Sequence, residues 1–217
     1  MAYHDDGFFV VRGLFSDSSV RDAIDAILEI VKSNLPCIQY EVNGVAHAPF
    51  DQRLPMVRKL QGYVQYDDRL KAISEDAGLL GVVRDCLAAE PELIVDNALL
   101  KPPRIGREKP WHQDNATLKT GTDVVGTWIA LDAATVDNGC MHMIPGSHKF
   151  GEIEHARQQD AQLYLASVPA EKVVAVEMEP GDCLVWNGLT HHGSPANKSL
   201  MRRWALQFHY KPKGTAR

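Results

Sequence analysis

Two stretches of this 217-residue chain carry residue types at spacings that chemistry can use. The first is His112-Gln113-Asp114. In an extended segment residues i and i+2 point to one side. His112 and Asp114 would then present an imidazole and a carboxylate to one point, with Gln113 facing elsewhere. A neutral nitrogen beside an anionic oxygen suits a borderline metal such as Fe(II), and two histidines with one carboxylate on one face leave positions open for substrate and dioxygen. The triplet alone is a weak signal, because nine histidines and 28 acidic residues produce such spacings by chance. A third ligand must come from far along the chain. The stretch His191-His192-Gly193-Ser194-Pro195-Ala196-Asn197-Lys198 reads as a turn-rich loop following a strand, a good place for a ligand at the mouth of a barrel. Its two adjacent histidines leave the choice open.

The second stretch is Arg203-Trp204-Ala205-Leu206-Gln207-Phe208-His209-Tyr210. Strand alternation puts Arg203, Ala205, Gln207 and His209 on one face and the aromatic and aliphatic residues on the other. An arginine in so apolar a strand is costly unless paired. The carboxylate of an anionic cosubstrate is a natural partner, since guanidinium and carboxylate match as a two-bond fork; a buried acidic side chain is the alternative.

These residues need elements to position them. Ser16 or Asp17 caps a helix whose apolar positions Val20, Ile24, Ile27, Leu28 and Val31 fall on one face. A second helical stretch is expected from about Asp67 to Leu87, with Gly78 and Gly81 weighing against its continuity. The start, Phe8 to Val11, reads as extended. From about residue 93 short apolar runs appear: Leu93 to Leu100, Val124 to Leu131, Cys140 to Ile144, Val173 to Val176, Cys183 to Trp186, and Trp204 to Tyr210. Turn residues such as Asp137-Asn138-Gly139 and Pro180-Gly181-Asp182 separate them. Many short strands of this kind read as a sandwich or barrel, with the helices covering one outer face of a sheet.

Composition is that of an ordinary globular domain, 45% apolar and 24% charged. A net charge of −5 gives no basic footprint for nucleic acid. No apolar run approaches the ~18 residues of a membrane span. The start, Met1-Ala2-Tyr3-His4-Asp5-Asp6, reads as neither a signal nor a transit peptide. The four cysteines form no C-x-x-C pair, so reduced thiols and a cytoplasmic setting are expected.

The ordered set of motifs resembles the phytanoyl-CoA dioxygenase (PhyH) family of Fe(II)/2-oxoglutarate oxygenases. Its pieces are Lys101-Pro102-Pro103, His112-Gln113-Asp114, Asn138-Gly139-Cys140, Ile144-Pro145-Gly146-Ser147-His148-Lys149, Gly181-Asp182, His192-Gly193-Ser194 with Asn197, and Arg203. The opening Gly7-Phe8-Phe9-Val10-Val11-Arg12-Gly13-Leu14-Phe15 is similar to the start of that family. The family's distal histidine precedes Gly-Ser, and its cosubstrate arginine lies eleven positions on, as Arg203 does from His192. The resemblance thus favours His192 over His191 and Arg203 over Arg202.

The resemblance implies one domain over residues 1–217. Residues 1–92 would supply an N-terminal strand and helices packed on one sheet, and residues 93–211 a double-stranded β-helix, the cupin-like jelly roll. It implies that His112, Asp114 and His192 hold Fe(II), that 2-oxoglutarate chelates the iron and gives its distal carboxylate to Arg203, and that O2 is consumed. Gln113, Trp128, Ser194, Asn97 and Lys59 match positions around the cosubstrate. Related halogenases have a small residue where Asp114 stands, so hydroxylation is expected here. The expected substrate is a small organic metabolite or natural-product intermediate, taken by a monomer or homodimer. A non-redox cupin-like isomerase or hydrolase, and a non-catalytic ligand-binding jelly roll, are the alternative readings.

Of the other histidines, His142 and His148 read as structural or surface residues, His209 as a candidate pocket residue, and His4, His47 and His155 as solvated. The tryptophans read as core by default, with Trp111, beside His112, also a candidate to border the site. Residues 152–160 read as a solvated helix or a lid. Specificity is expected to reside in about 42–56, 104–110, 115–125 and 150–170, where Arg53, Arg104, Arg107 and Lys109 are available to an acidic group.

Overall fold

The computed structural model describes residues 2–157, 163–164 and 172–215. Of the stretch expected as a helix or lid at 152–160, residues 152–157 form no helix and end in a short strand, and 158–160 lie outside the described residues, as do 158–162 and 165–170 of the specificity region 150–170.

The chain opens with α1 (Ala2–Asp6), β1 (Phe8–Val11) and α2 (Asp17–Lys32). Ser16 caps α2 by accepting the Ser19 N–H, which satisfies one of the donors a helix start leaves open. Next come β2 (Ile38–Tyr40), α3 (Phe50–Arg53), β3 (Val57–Gln61), α4 (Asp68–Ser74) and α5 (Ala77–Leu87). The single helix expected from Asp67 to Leu87 is therefore two. Asp76 accepts the Leu79 N–H and starts α5 afresh, so a cap rather than the glycines makes the break. The remainder is β4 (Pro91–Lys101), β5 (Lys109–His112), α6 (Asp114–Leu118), β6 (Val125–Ala130), β7 (Met141–Met143), β8 (Ala156–Arg157), β9 (Leu163–Tyr164), β10 (Val174–Val176), β11 (Cys183–Asn187), β12 (His192–Ser194) and β13 (Arg203–Pro212).

Among the described residues these strands form a seven-stranded sheet in the order β1-β11-β6-β13-β4-β3-β2, a four-stranded sheet in the order β10-β7-β12-β5, and the short pair β8-β9. All pairings are antiparallel. This is the jelly roll, with helices on the outer face of its larger sheet. The first 92 residues do more than cover it, since β1, β2 and β3 complete both of its edges. The stretch around His192 is not a loop: β12 is an internal strand of the smaller sheet, between β7 and β5.

β13 lies between β4 and β6 and separates two environments. Its outer residues Trp204, Leu206, Phe208 and Tyr210 join one core with Ala23, Ile27 and Ile30 of α2, Leu70 and Ile73 of α4, and Leu79 and Val83 of α5. The Tyr210 hydroxyl donates to the Ser74 carbonyl at 2.8 Å and ties the strand to the end of α4. On the inner face Ala205 packs with Trp128, Met141, Met143, Leu184 and Trp186.

The turn before β11 shows what Gly181-Asp182 does. Gly181 has φ +88°, and a Cβ there would overlap the Phe15 carbonyl oxygen. The buried Asp182 carboxylate accepts the N–H groups of Gly13 at 2.8 Å and Glu179 at 2.9 Å and pairs with Arg12 at 2.6 Å. Burial alone would raise this carboxyl, but those bonds outweigh it and hold it below its ordinary value. Asp182 therefore stabilises the fold fully above its unfolded value and loses that contribution as pH falls towards the folded one. Asp182→Asn should cost about 1–3 kcal/mol at neutral pH. Urea unfolding at pH 7 and at pH 3 should show the gap to wild type narrowing in acid.

Candidate active site

β5 and β12 lie side by side with His112 directly opposite His192. The two imidazole centroids are 4.2 Å apart. His112 Nδ1 lies 2.8 Å from the Pro110 carbonyl and His192 Nδ1 lies 2.9 Å from that of Thr190. A carbonyl only accepts, so each Nδ1 carries the hydrogen and each Nε2 carries a lone pair. Gln113 is extended at φ −116° and ψ 136°. Asp114 thus comes to the same side as His112, although it opens helix α6 and does not continue the strand. His112 Nε2 is 3.5 Å from Asp114 Oδ1, and His192 Nε2 is 3.5 Å from Asp114 Oδ2.

Among the described residues, His112, Asp114 and His192 form a buried group whose ligand atoms all lie within 4.8 Å of one another. His192 Nε2 is buried without a hydrogen-bond partner. Burial lowers both histidines, His192 to about 3, so they stay neutral and keep their lone pairs. Burial would raise the Asp114 carboxyl, but His209, His192 and His112 together outweigh it and hold the group well below the usual range. Two neutral nitrogens and a carboxylate aimed at one point fit Fe(II). Asp114 Oδ2 is held from the larger sheet as well: the Trp186 indole N–H donates to it at 2.9 Å, and His209 Nε2 lies 2.9 Å from the same atom.

The triad opens onto a cavity of about 320 Å³ that Arg203 also lines. Arg203 is buried, and its Nε and Nη1 have no hydrogen-bond partner. Burial lowers it only to about 10, so it remains charged. Trp128 lies beneath it, with the guanidinium carbon 5.0 Å from a ring centroid. A cation facing a cavity with unused N–H groups fits a carboxylate of 2-oxoglutarate. Arg202, by contrast, pairs with Asp132 at 3.1 Å and lies over Trp204.

The remaining expected contacts divide. Ser194, Asn97 and Lys59 line the cavity. Asn97 Oδ1 is buried without a partner. Lys59 donates to Gln61 at 3.2 Å, and burial, then Lys109 and Arg58, push it down to about 8. Gln113 and Trp128 are not in the wall. The Gln113 amide donates to the Gly151 and Leu189 carbonyls and accepts the Ile153 N–H. It has no free N–H for a cosubstrate and instead holds the loop at 151–153. His155, expected to be solvated, is half-buried and accepts the Gln113 backbone N–H at 3.0 Å. Lys101, Trp186 and Gln207 carried no expected role at the site. Gln207 had a signal, since it shares a strand face with Arg203, whereas nothing near Trp186 in the sequence points to Asp114.

The family model described as phytanoyl-CoA dioxygenase (PhyH) matches residues 3–205. The chain belongs to that family. It is 31% identical over 150 residues to phytanoyl-CoA dioxygenase 1 of Oryza sativa subsp. japonica, an alignment covering 67% of this chain but only 53% of the rice protein. A phytanoyl-CoA dioxygenase domain-containing protein 1 homolog of Caenorhabditis briggsae is 25% identical, with 96% of this chain and 88% of the relative covered. Among solved structures, EvdO2 from Micromonospora carbonacea var. aurantiaca complexed with 2-oxoglutarate superposes with a TM-score of 0.79 at 25% identity, covering 97% of this chain and 88% of EvdO2. EctD from S. alaskensis, solved with 2-oxoglutarate and 5-hydroxyectoine, shares the fold with a TM-score of 0.78 at 22% identity, covering 99% of this chain and 75% of EctD.

In this PhyH-family chain the Trp186 bond fixes which way the Asp114 carboxylate faces, and bonds of that kind tune metal affinity by about 10–100-fold. Trp186→Phe keeps a ring in the core and removes the N–H. Its Fe(II) affinity, measured anaerobically against a competing chelator, should fall by about tenfold. Unchanged affinity would mean that the indole serves packing alone.

Proposed function

We propose that this PhyH-family chain is an Fe(II)/2-oxoglutarate-dependent dioxygenase that hydroxylates a C–H bond of a small organic metabolite. The observation that carries the reading is the buried Arg203 guanidinium, unpartnered in the same cavity as the histidine–carboxylate triad. A non-redox cupin needs the triad but has no use for that arginine, and a passive binding protein needs no neutral pair of imidazoles on an ionised carboxylate.

Each part has a role set by its chemistry. His112, Asp114 and His192 would hold the iron, with the Nδ1 hydrogens engaged by Pro110 and Thr190 so that neither ring can turn away. Arg203 would receive the distal carboxylate of 2-oxoglutarate, with the Ser194 hydroxyl beside it. When bound, iron and 2-oxoglutarate supply the oxidising power, dioxygen being activated as the keto acid is decarboxylated to succinate and carbon dioxide. The protein's contribution is position and the exclusion of water. Asp114 supports hydroxylation over halogenation, because a carboxylate fills the ligand position that a halide would need.

Two outcomes test this. Fe(II) and then 2-oxoglutarate, added without oxygen to metal-free protein, should give a visible charge-transfer band. Arg203→Ala should need at least about 30-fold more 2-oxoglutarate to reach it, since stranding one partner of a buried charge pair costs about 2–5 kcal/mol. Iron binding without a band would move the non-redox reading ahead. Asp114→Ala should lose iron binding and succinate release together; a fully active variant would overturn the ligand assignment.

A further inference from the structure

Lys101 ends β4 directly across the sheet from Arg203. Both side chains are buried, at 7% and 2% exposure, and both line the cavity. Among the described residues neither forms an ion pair. Two cations set together out of water repel each other and are costly to bury. Burial first, and then Arg203, push the Lys101 ammonium down to about 6. Glu41 and Glu108 act in the opposite direction without reaching ion-pair distance, as does the Cys140 thiol.

The lysine stem is built in. A Cβ on Gly106 would overlap Lys101 Cγ. Gly139, at φ +84°, would bring a Cβ against the Pro195 carbonyl and within 3.2 Å of Lys101 Cδ. The Asn138-Gly139 turn and Gly106 thus leave the channel along which the side chain reaches across to β12. There Nζ donates to Ser194 Oγ at 2.9 Å and to the Pro195 carbonyl.

This contact decides what Ser194 can do. An anion next to Lys101 favours its charged form, and an ammonium only donates. Ser194 Oγ must then accept from Lys101, so its own hydrogen points away from Nζ. Ser194 lines the same cavity as the unpartnered Arg203 N–H groups. We propose that Lys101 is a positioning residue for the distal carboxylate of 2-oxoglutarate, turning the Ser194 hydroxyl into a donor towards that carboxylate and adding a second buried positive charge beside Arg203. This rests on the cosubstrate reading above.

The test compares two keto acids on the Fe(II)-loaded protein without oxygen, followed by the charge-transfer band. 2-Oxoglutarate has a distal carboxylate; 2-oxobutyrate has the same keto acid head and none. Lys101→Met keeps the length of the stem and removes its charge and N–H groups. It should weaken 2-oxoglutarate by about tenfold, the scale of a hydrogen bond to a charged group, and leave 2-oxobutyrate unchanged. Ser194→Ala, with the lysine intact, should show the same selective loss and keeps the test open if Lys101→Met does not fold. A variant that weakens both acids equally marks a merely structural lysine and overturns the proposal, as does a variant that weakens neither. A wild type that gives no band with either acid overturns the cosubstrate reading itself.

Discussion

A carboxylate buried between two sheets is the constraint on which the rest of this structure depends. Asp114 lies among His112, His192, His209 and Trp186, which come from β5, β12, β13 and β11. An ionised carboxyl out of water is stable only when its oxygens are engaged. Here the donors, Trp186 and His209, come from the larger sheet, while the smaller sheet brings the two imidazoles whose lone pairs face the same point. Asp114 and the residues around it therefore bridge the two sheets. Binding and folding share the same contacts, which is why the helix α6 that carries Asp114 can be so short: its first residue is held by the walls, not by the helix.

The larger sheet can present charge inward because its other side is so apolar. β13 turns Trp204, Leu206, Phe208 and Tyr210 out to the helices and Arg203, Gln207 and His209 in to the cavity. Fully burying each large apolar side chain contributes about 1.5–3 kcal/mol. Four on one strand, backed by α2, α4 and α5, exceed what one desolvated arginine costs after relaxation. A register slip by one residue would send the arginine into the helical core and the aromatics into the cavity. The pairing of β13 with both β4 and β6 is thereby fixed by the charge as much as by the apolar face.

Parts of this were legible in the sequence for physical reasons, and so were the misses. The alternation from Arg203 to Tyr210 is local, and it places His209 and Gln207 beside Arg203. The i, i+2 relation of His112 and Asp114 survives because only Gln113 between them has to be extended. The helix cap at Ser16 is likewise local. By contrast β2, β3 and β12 are only three to five residues long. They are held by neighbours distant in sequence, so the turn residues after His192 outweighed a strand signal too short to see. Gln113 matched a cosubstrate position, yet its amide is taken up by carbonyls 38 and 76 residues away. Trp186 and Lys101 act through partners 72 and 93 residues distant, and no periodicity encodes such pairs.

Arg203, Lys101 and Ser194 give one region of the cavity two cations and a hydroxyl, with no ion-paired acid among the described residues. Elsewhere the wall carries Arg58, Lys59, Lys109 and Glu108, with Arg107 tied to Glu41 at 2.7 Å, and Thr117 and Leu118 from α6. These residues come from α6, from β3 and the residue after β2, and from the start of β5 with the segment before it. Ligand pockets run from about 300 to 1,000 Å³, and the cavity here, about 320 Å³, sits at the lower end of that range. The buried charges and much of the charged wall around them both stand on paired strands, so strand pairing positions both.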